Sequence, residues 1–129
     1  MAQGEAVIDI DRSPDDVWAL LRGFGTINEW MPGIDSCTVE GDVRTIGTMG
    51  IEIKEQLREL DDAARRTSYS VIESPMGNLE SHLATISVAA EGAGSRVTWA
   101  VEVSPDELLG LFLPIYEGSV VELKKRLEA

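Results

Sequence analysis

Residues 105–128 read PDELLGLFLPIYEGSVVELKKRLE, and the spacing of their apolar side chains decides the architecture. Leu109, Leu113, Tyr116, Val120, Leu123 and Leu127 follow at intervals of four, three, four, three and four. That rhythm puts them on one stripe of a helix. Pro114 falls inside the pattern, where its missing N–H is expected to kink the helix. Lys124, Lys125 and Arg126 stand in the last turn, where cations complement the helix dipole. That role explains the basic cluster better than a nucleic-acid contact. A long helix with one apolar stripe needs a second layer to cover it.

The preceding residues supply that layer as strands. Gly41-Asp42, Gly47 to Gly50, Asp61-Asp62, Ser74-Pro75-Met76-Gly77 and Glu91-Gly92-Ala93-Gly94 punctuate the chain into strand-length pieces. About six strands are expected between Ile34 and Val103, joined by short connections and therefore antiparallel. Two long ones fall near Leu79–Ala90 and Arg96–Val103. Another strand, Glu5 to Asp11, comes first, with Ala6, Ile8 and Ile10 alternating against charged neighbours.

Between the first strand and the others lies SPDDVWALLRGF, which has the marks of a helix start. Ser13 suits the N-cap, Pro14 the first helical position, and Asp15 and Asp16 the positive end of the dipole. Gly23 and Gly25 can end that helix. A second short helix is expected from Thr26 to Met31, stopped by Pro32-Gly33. The fold class is then α+β: a seven-stranded antiparallel sheet curved around a long C-terminal helix, with two short helices after strand 1. Such a sheet leaves a space between itself and the helix.

A chain of 129 residues with 43% apolar and 26% charged residues suits one soluble globular domain spanning 1–129. The net charge of −12 opposes nucleic acid and anionic membranes. Cys37 is the only cysteine, and packing is its expected role. The start MAQGEAVIDIDRS has no apolar leader region, and LLGLFLPIY at 108–116 is too short to span a bilayer. The expected location is cytoplasmic, without membrane insertion. One histidine, no CxxC or HExxH spacing and no glycine-rich phosphate loop leave no metal or cofactor expected.

Strand parity then selects the inward side chains. Val97, Trp99, Val101 and Val103 share a face, as do Ala84, Ile86 and Val88, which carry His82 and Glu80 with them. Tyr69 and Val71 form the next inward set, and Ile51, Ile53, Glu55 and Leu57 another. Four neighbouring strands thus each point one polar or amphipathic group inward: Glu55, Tyr69, His82 and Trp99. A mostly apolar pocket with a few placed polar groups is the usual form of a small-molecule site. The same residues equally fit a satisfied polar patch in a packed core.

These stretches resemble the START-like, helix-grip superfamily called SRPBCC, and within it the bacterial polyketide cyclase/dehydrase-type group. The carriers are SPDDVWALLRGFGTINEWMPGI, EQLRELDDAARRTSYSV, and the late pair LATISV and SRVTWAVEV. The resemblance implies a sheet gripping the final helix around a cavity for hydrophobic ligands such as lipids, sterols, polyketides or plant hormones. It places Trp30 and Met31 where the small helices meet the pocket. Glu55 matches the glutamate of an E-x-L-x-x-x-D run continued by Leu57 and Asp61, and Tyr69 the aromatic of the following strand. His82 stands where many relatives carry a tyrosine. The gate and latch segments of the superfamily's plant hormone receptors have no counterpart in TIGTMGIEI or SPMGNLES.

The expected cavity set is Trp30, Met31, Ile51, Ile53, Glu55, Tyr69, His82, Trp99, Leu113, Tyr116 and Val120. Its main expected function is binding, extending to transport, of a hydrophobic small molecule such as a lipid, polyketide or isoprenoid. The alternative is a polyketide cyclase, aromatase or dehydratase in the same cavity, with Glu55 or His82 as base and Tyr69 or His82 as donor. A third reading makes the acidic surface or the Trp30 turn a protein contact.

Overall fold

In a computed structural model, described here for residues 2–75 and 78–129, seven strands form one antiparallel sheet in the order β1-β7-β6-β5-β4-β3-β2. The strands are β1 (Ala2–Ile10), β2 (Ser36–Glu40), β3 (Val43–Thr48), β4 (Ile51–Asp61), β5 (Arg66–Glu73), β6 (Ser81–Glu91) and β7 (Gly94–Ser104). Helix α1 (Pro14–Leu21) and a 3₁₀ segment (Phe24–Glu29) carry the chain from one sheet edge to the other. Helix α2 (Leu109–Glu128) follows a short 3₁₀ turn (Asp106–Leu108) and packs mainly on β1 and β7. This is the helix-grip arrangement expected from the sequence. Of the expected Ser74–Gly77 turn, Met76 and Gly77 lie outside the described residues.

The start of α1 obeys its local code. Ser13 Oγ accepts the Asp16 N–H at 3.2 Å, and Pro14 opens the helix. The helix ends at Leu21, earlier than Gly23, because Arg22 caps it by bonding back to the Trp18 carbonyl. Asp62 then ties α1 to the β4–β5 turn: the Trp18 indole donates to Oδ1 at 2.9 Å and Arg22 at 2.8 Å. These bonds hold the Asp62 carboxyl below its ordinary range. Arg65 and Arg66 form ion pairs with Asp15 and Glu59, and Lys124 with Glu128, so both basic clusters have intramolecular partners.

The second short helix is a 3₁₀ segment placed two residues earlier than expected, and Pro32-Gly33 follows it. Gly33 has φ of +83°, a conformation that favours glycine. In α2 the buried face is Phe112, Tyr116, Ser119, Val120 and Leu123, rotated slightly from the expected stripe. Leu109 and Leu113 flank it and lie over Gly4 of β1. A Cβ at Gly4 would come within 3.0 Å of Leu113 Cδ2, so the missing side chain lets the helix approach the strand. The helix runs on through Pro114 without interruption.

The inward residues expected on β5, β6 and β7, namely Tyr69, Val71, His82, Ala84, Ile86, Val88, Val97, Trp99, Val101 and Val103, are all buried; on β5 the intervening Ser68 and Ser70 are buried as well. Glu80 departs from the expected parity. It precedes β6 and is exposed. Ile51 is also exposed, because it follows directly on the β3–β4 turn and α2 packs mainly on β1 and β7, towards the opposite edge of the sheet. In β4 the register against β5 shifts at Lys54/Glu55 and at Leu57/Glu59. Such bulges bend a strand and re-aim its side chains.

Candidate functional site

A cavity of about 230 Å³ lies between β3–β5, the Pro32-Gly33 turn and the first half of α2. The 3₁₀ segment and the turn give it Ile27, Met31 and Ile34. The sheet contributes Ile46, Ile53, Glu55, Tyr69 and Val71, and α2 contributes Phe112, Ile115 and Tyr116. Apolar side chains dominate this wall. Met49 and Ile115 stand at the cavity and remain substantially exposed, which marks the side open to solvent.

Met49 is held there by the hairpin. The two-residue β3–β4 turn gives Met49 a φ of 52° and Gly50 a φ of 80°. Positive φ at both positions suits a tight hairpin, yet it costs a side-chain-bearing residue such as methionine about 1–2 kcal/mol.

The polar groups come from adjacent strands. Arg44 on β3 and Glu55 on β4 are cross-strand partners, both buried, and pair at 2.7 Å. Arg44 also donates to the Phe24 carbonyl at 2.9 Å. Its guanidinium lies 4.4 Å from the Phe24 ring centre and 4.7 Å from that of Tyr69. A cation between two aromatic faces is well placed for cation–π attraction. Burial pushes the Glu55 carboxyl up, and Arg44 only partly counters it.

Behind the cavity wall runs a second set of bonds. The Val71 N–H donates to His82 Nδ1 at 3.1 Å, and His82 Nε2 lies 3.0 Å from the Tyr116 hydroxyl. Tyr69 and Tyr116 hydroxyls are 3.5 Å apart. Burial lowers the His82 pKa to about 4, so its ring is neutral at pH 7. Burial, followed by the nearby Glu55 charge, drives the Tyr69 hydroxyl far above its usual range; burial does the same to Tyr116.

The expected site residues divide accordingly. Met31, Ile53, Glu55, Tyr69 and Tyr116 line the cavity. His82 sits behind Tyr116, and Trp99 stacks on the Tyr116 ring at 4.2 Å with planes 11° apart. Trp30 is buried with its ring centre 5.7 Å from that of Trp99, and its indole N–H has no hydrogen-bond partner among the described residues. Leu113 covers Gly4, Val120 belongs to the core, and Ile51 faces solvent; none of these three lines the cavity.

A family model described as polyketide cyclase / dehydrase and lipid transport matches residues 1–128. The chain belongs to that family. Similar to this polyketide cyclase / dehydrase family member is the solved structure of XoxI from Bacillus cereus. It is 29% identical over 99% of this chain and 96% of its own, with a TM-score of 0.93. A protein from Bacillus thuringiensis is 28% identical over 99% of this chain and all (100%) of its own, with a TM-score of 0.90. A START superfamily protein from Mycobacterium smegmatis shares the fold at 12% identity, a TM-score of 0.76 and coverage of 98% and 97%. The comparison with curated proteins finds no match.

Sequence reasoning missed Arg44, Phe24 and Phe112. For Arg44 a signal existed: it shares the parity of Ile46 in VRTIGT, which turns an arginine inward where only a carboxylate partner could offset its burial. Phe112 was hidden because the leucines around it made an equally regular stripe.

Proposed function

We propose that this polyketide cyclase / dehydrase family member binds a small hydrophobic molecule in the cavity between β3–β5 and α2. The observation that carries this reading is the cavity itself: apolar walls around a buried Glu55, Tyr69 and Tyr116, open beside Met49 and Ile115. Its 230 Å³ holds roughly eight non-hydrogen atoms at the volume of a liquid water, about 30 Å³, each. That suits a small apolar compound or one end of a longer lipid, polyketide or isoprenoid, and it permits carriage of the bound molecule as well as storage. Native mass spectrometry of freshly purified protein tests it. A co-purified apolar mass that exchanges with an added apolar compound supports the reading; a protein that neither retains nor takes up such compounds overturns it.

One observation favours a second reading, an enzyme of the cyclase or dehydratase type. Both Arg44 contacts fall on Glu55 Oε1, and Oε2 has no hydrogen-bond partner among the described residues. A carboxylate oxygen beside two cavity-lining hydroxyls provides a proton acceptor and donors in one pocket. In this reading Glu55 rather than His82 serves as the base, because both His82 nitrogens already have partners. Turnover of a β-ketone test substrate that Glu55→Gln abolishes, with folding intact, supports this reading; turnover insensitive to that change rules Glu55 out.

A further inference from the structure

The polar atoms of the cavity become unequal once their protons are assigned. Val71 donates its backbone N–H to His82 Nδ1 at 3.1 Å. A ring nitrogen that accepts this bond carries no proton, so the neutral imidazole must keep its proton on Nε2. Nε2 therefore donates to the Tyr116 oxygen at 3.0 Å. Tyr116 has accepted one hydrogen bond and must give its own O–H elsewhere. The Tyr69 hydroxyl is directed as a donor to the Tyr116 oxygen, but at 3.5 Å it is well beyond the usual O–H···O distance of about 2.7–2.8 Å, so both hydroxyl protons remain available to a third atom.

Tyr69 and Tyr116 both line the cavity, and their separation fits a shared third atom. An oxygen about 2.8 Å from each would see them at an angle of roughly 80°, which a carbonyl oxygen with two lone pairs accepts. An anion is a poor candidate. Glu55 shares the wall, Arg44 is already occupied by Glu55 and the Phe24 carbonyl, and the lining holds no lysine or arginine.

We infer that the cavity selects a neutral apolar molecule bearing a carbonyl-type oxygen, held by the hydroxyls of Tyr69 and Tyr116. His82 is a positioning residue: pinned by the Val71 N–H, it occupies the Tyr116 lone pair and leaves Tyr116 as a donor. This rests on the hydrophobic-binding reading of the cavity and narrows its ligand class.

The test uses three probes of nearly the same shape: acetophenone, isopropylbenzene and benzoate. Binding to the whole chain is followed by amide chemical shifts, with circular dichroism confirming the fold of each variant. Tyr116→Phe should weaken acetophenone about tenfold while changing isopropylbenzene less than about twofold. His82→Leu should weaken acetophenone selectively. His82→Gln, whose amide can accept from Val71 and donate to Tyr116, should restore it. Equal losses for acetophenone and isopropylbenzene overturn the carbonyl inference but leave the cavity reading standing. Benzoate binding more tightly than acetophenone also overturns it. Failure of the wild-type chain to bind either neutral probe removes the cavity reading itself.

Discussion

Arg44 and Glu55 stand directly opposite each other in the β3–β4 ladder, so the strand register itself brings the cation to the carboxylate. Neither charge has ready access to water. Removing one partner leaves the other buried and uncompensated, whereas replacing both by apolar groups removes the problem. Arg44→Met is therefore expected to cost about 3–5 kcal/mol in urea unfolding. The double variant Arg44→Met/Glu55→Leu should recover most of that loss. A double variant as unstable as the single one would show that Arg44 acts through its Phe24 and Tyr69 contacts instead.

His82 makes stability depend on pH in a defined window. Its pKa is about 4 in the folded chain, against 6.5 for the free side chain. Between those values the unfolded chain binds the proton and the folded chain does not, so stability falls as pH drops from 6.5 towards 4. Its ring neighbours Tyr69, Phe112 and Tyr116 are uncharged throughout. The expected loss is about 3 kcal/mol at 1.36 kcal/mol per pKa unit. In His82→Gln this component of the pH profile should vanish, leaving the carboxylate titrations at lower pH. An unchanged profile would assign the acid sensitivity to other groups.

Met49 occupies a turn position that prefers another residue. Met49→Asn gives the hairpin an Asn-Gly turn, the pair that best accepts positive φ at both positions. Thermal unfolding should show a gain of about 0.5–1 kcal/mol from the relieved strain. A loss on substitution would mean that the exposed thioether contributes packing at the cavity.

Val71 offers a way to close the cavity without touching its polar groups. Val71→Phe projects a ring into space that is already there, so it should cost less than the roughly 1–3 kcal/mol of overpacking a full core. Binding of isopropylbenzene should fall more than about tenfold. Retained binding would place the apolar site elsewhere.

The sheet and its covering helix were readable because their signals are periodic. SRVTWAVEV alternates cleanly, and every inward residue it names is buried. The site was less readable for reasons that particular residues make plain. Ile51 shares the parity of Ile53, but parity does not say where a covering helix stops. Leu113 and Phe112 are both apolar neighbours on α2, and only the missing side chain of Gly4 on β1 decides which of them lies on that strand. His82 follows its strand pattern to the interior, yet whether it meets the cavity or stands behind Tyr116 depends on packing between layers. Trp30 and Met31, adjacent before the Pro32-Gly33 turn, part company for the same reason: Met31 lines the cavity and Trp30 packs against Trp99.

The sheet order also sets a timetable for synthesis. β1 closes one edge, and its ladder partner is β7, with Ala2 opposite Val103. β1 therefore leaves the ribosome well before the strand it pairs with. At about 5–20 residues per second, that interval is roughly 5–20 s. Until β7 and α2 emerge, Ala6, Ile8 and Ile10 have neither their neighbouring strand nor their cover. This sheet must spend that time unfinished, and any chaperone that attends it has its clearest target in β1.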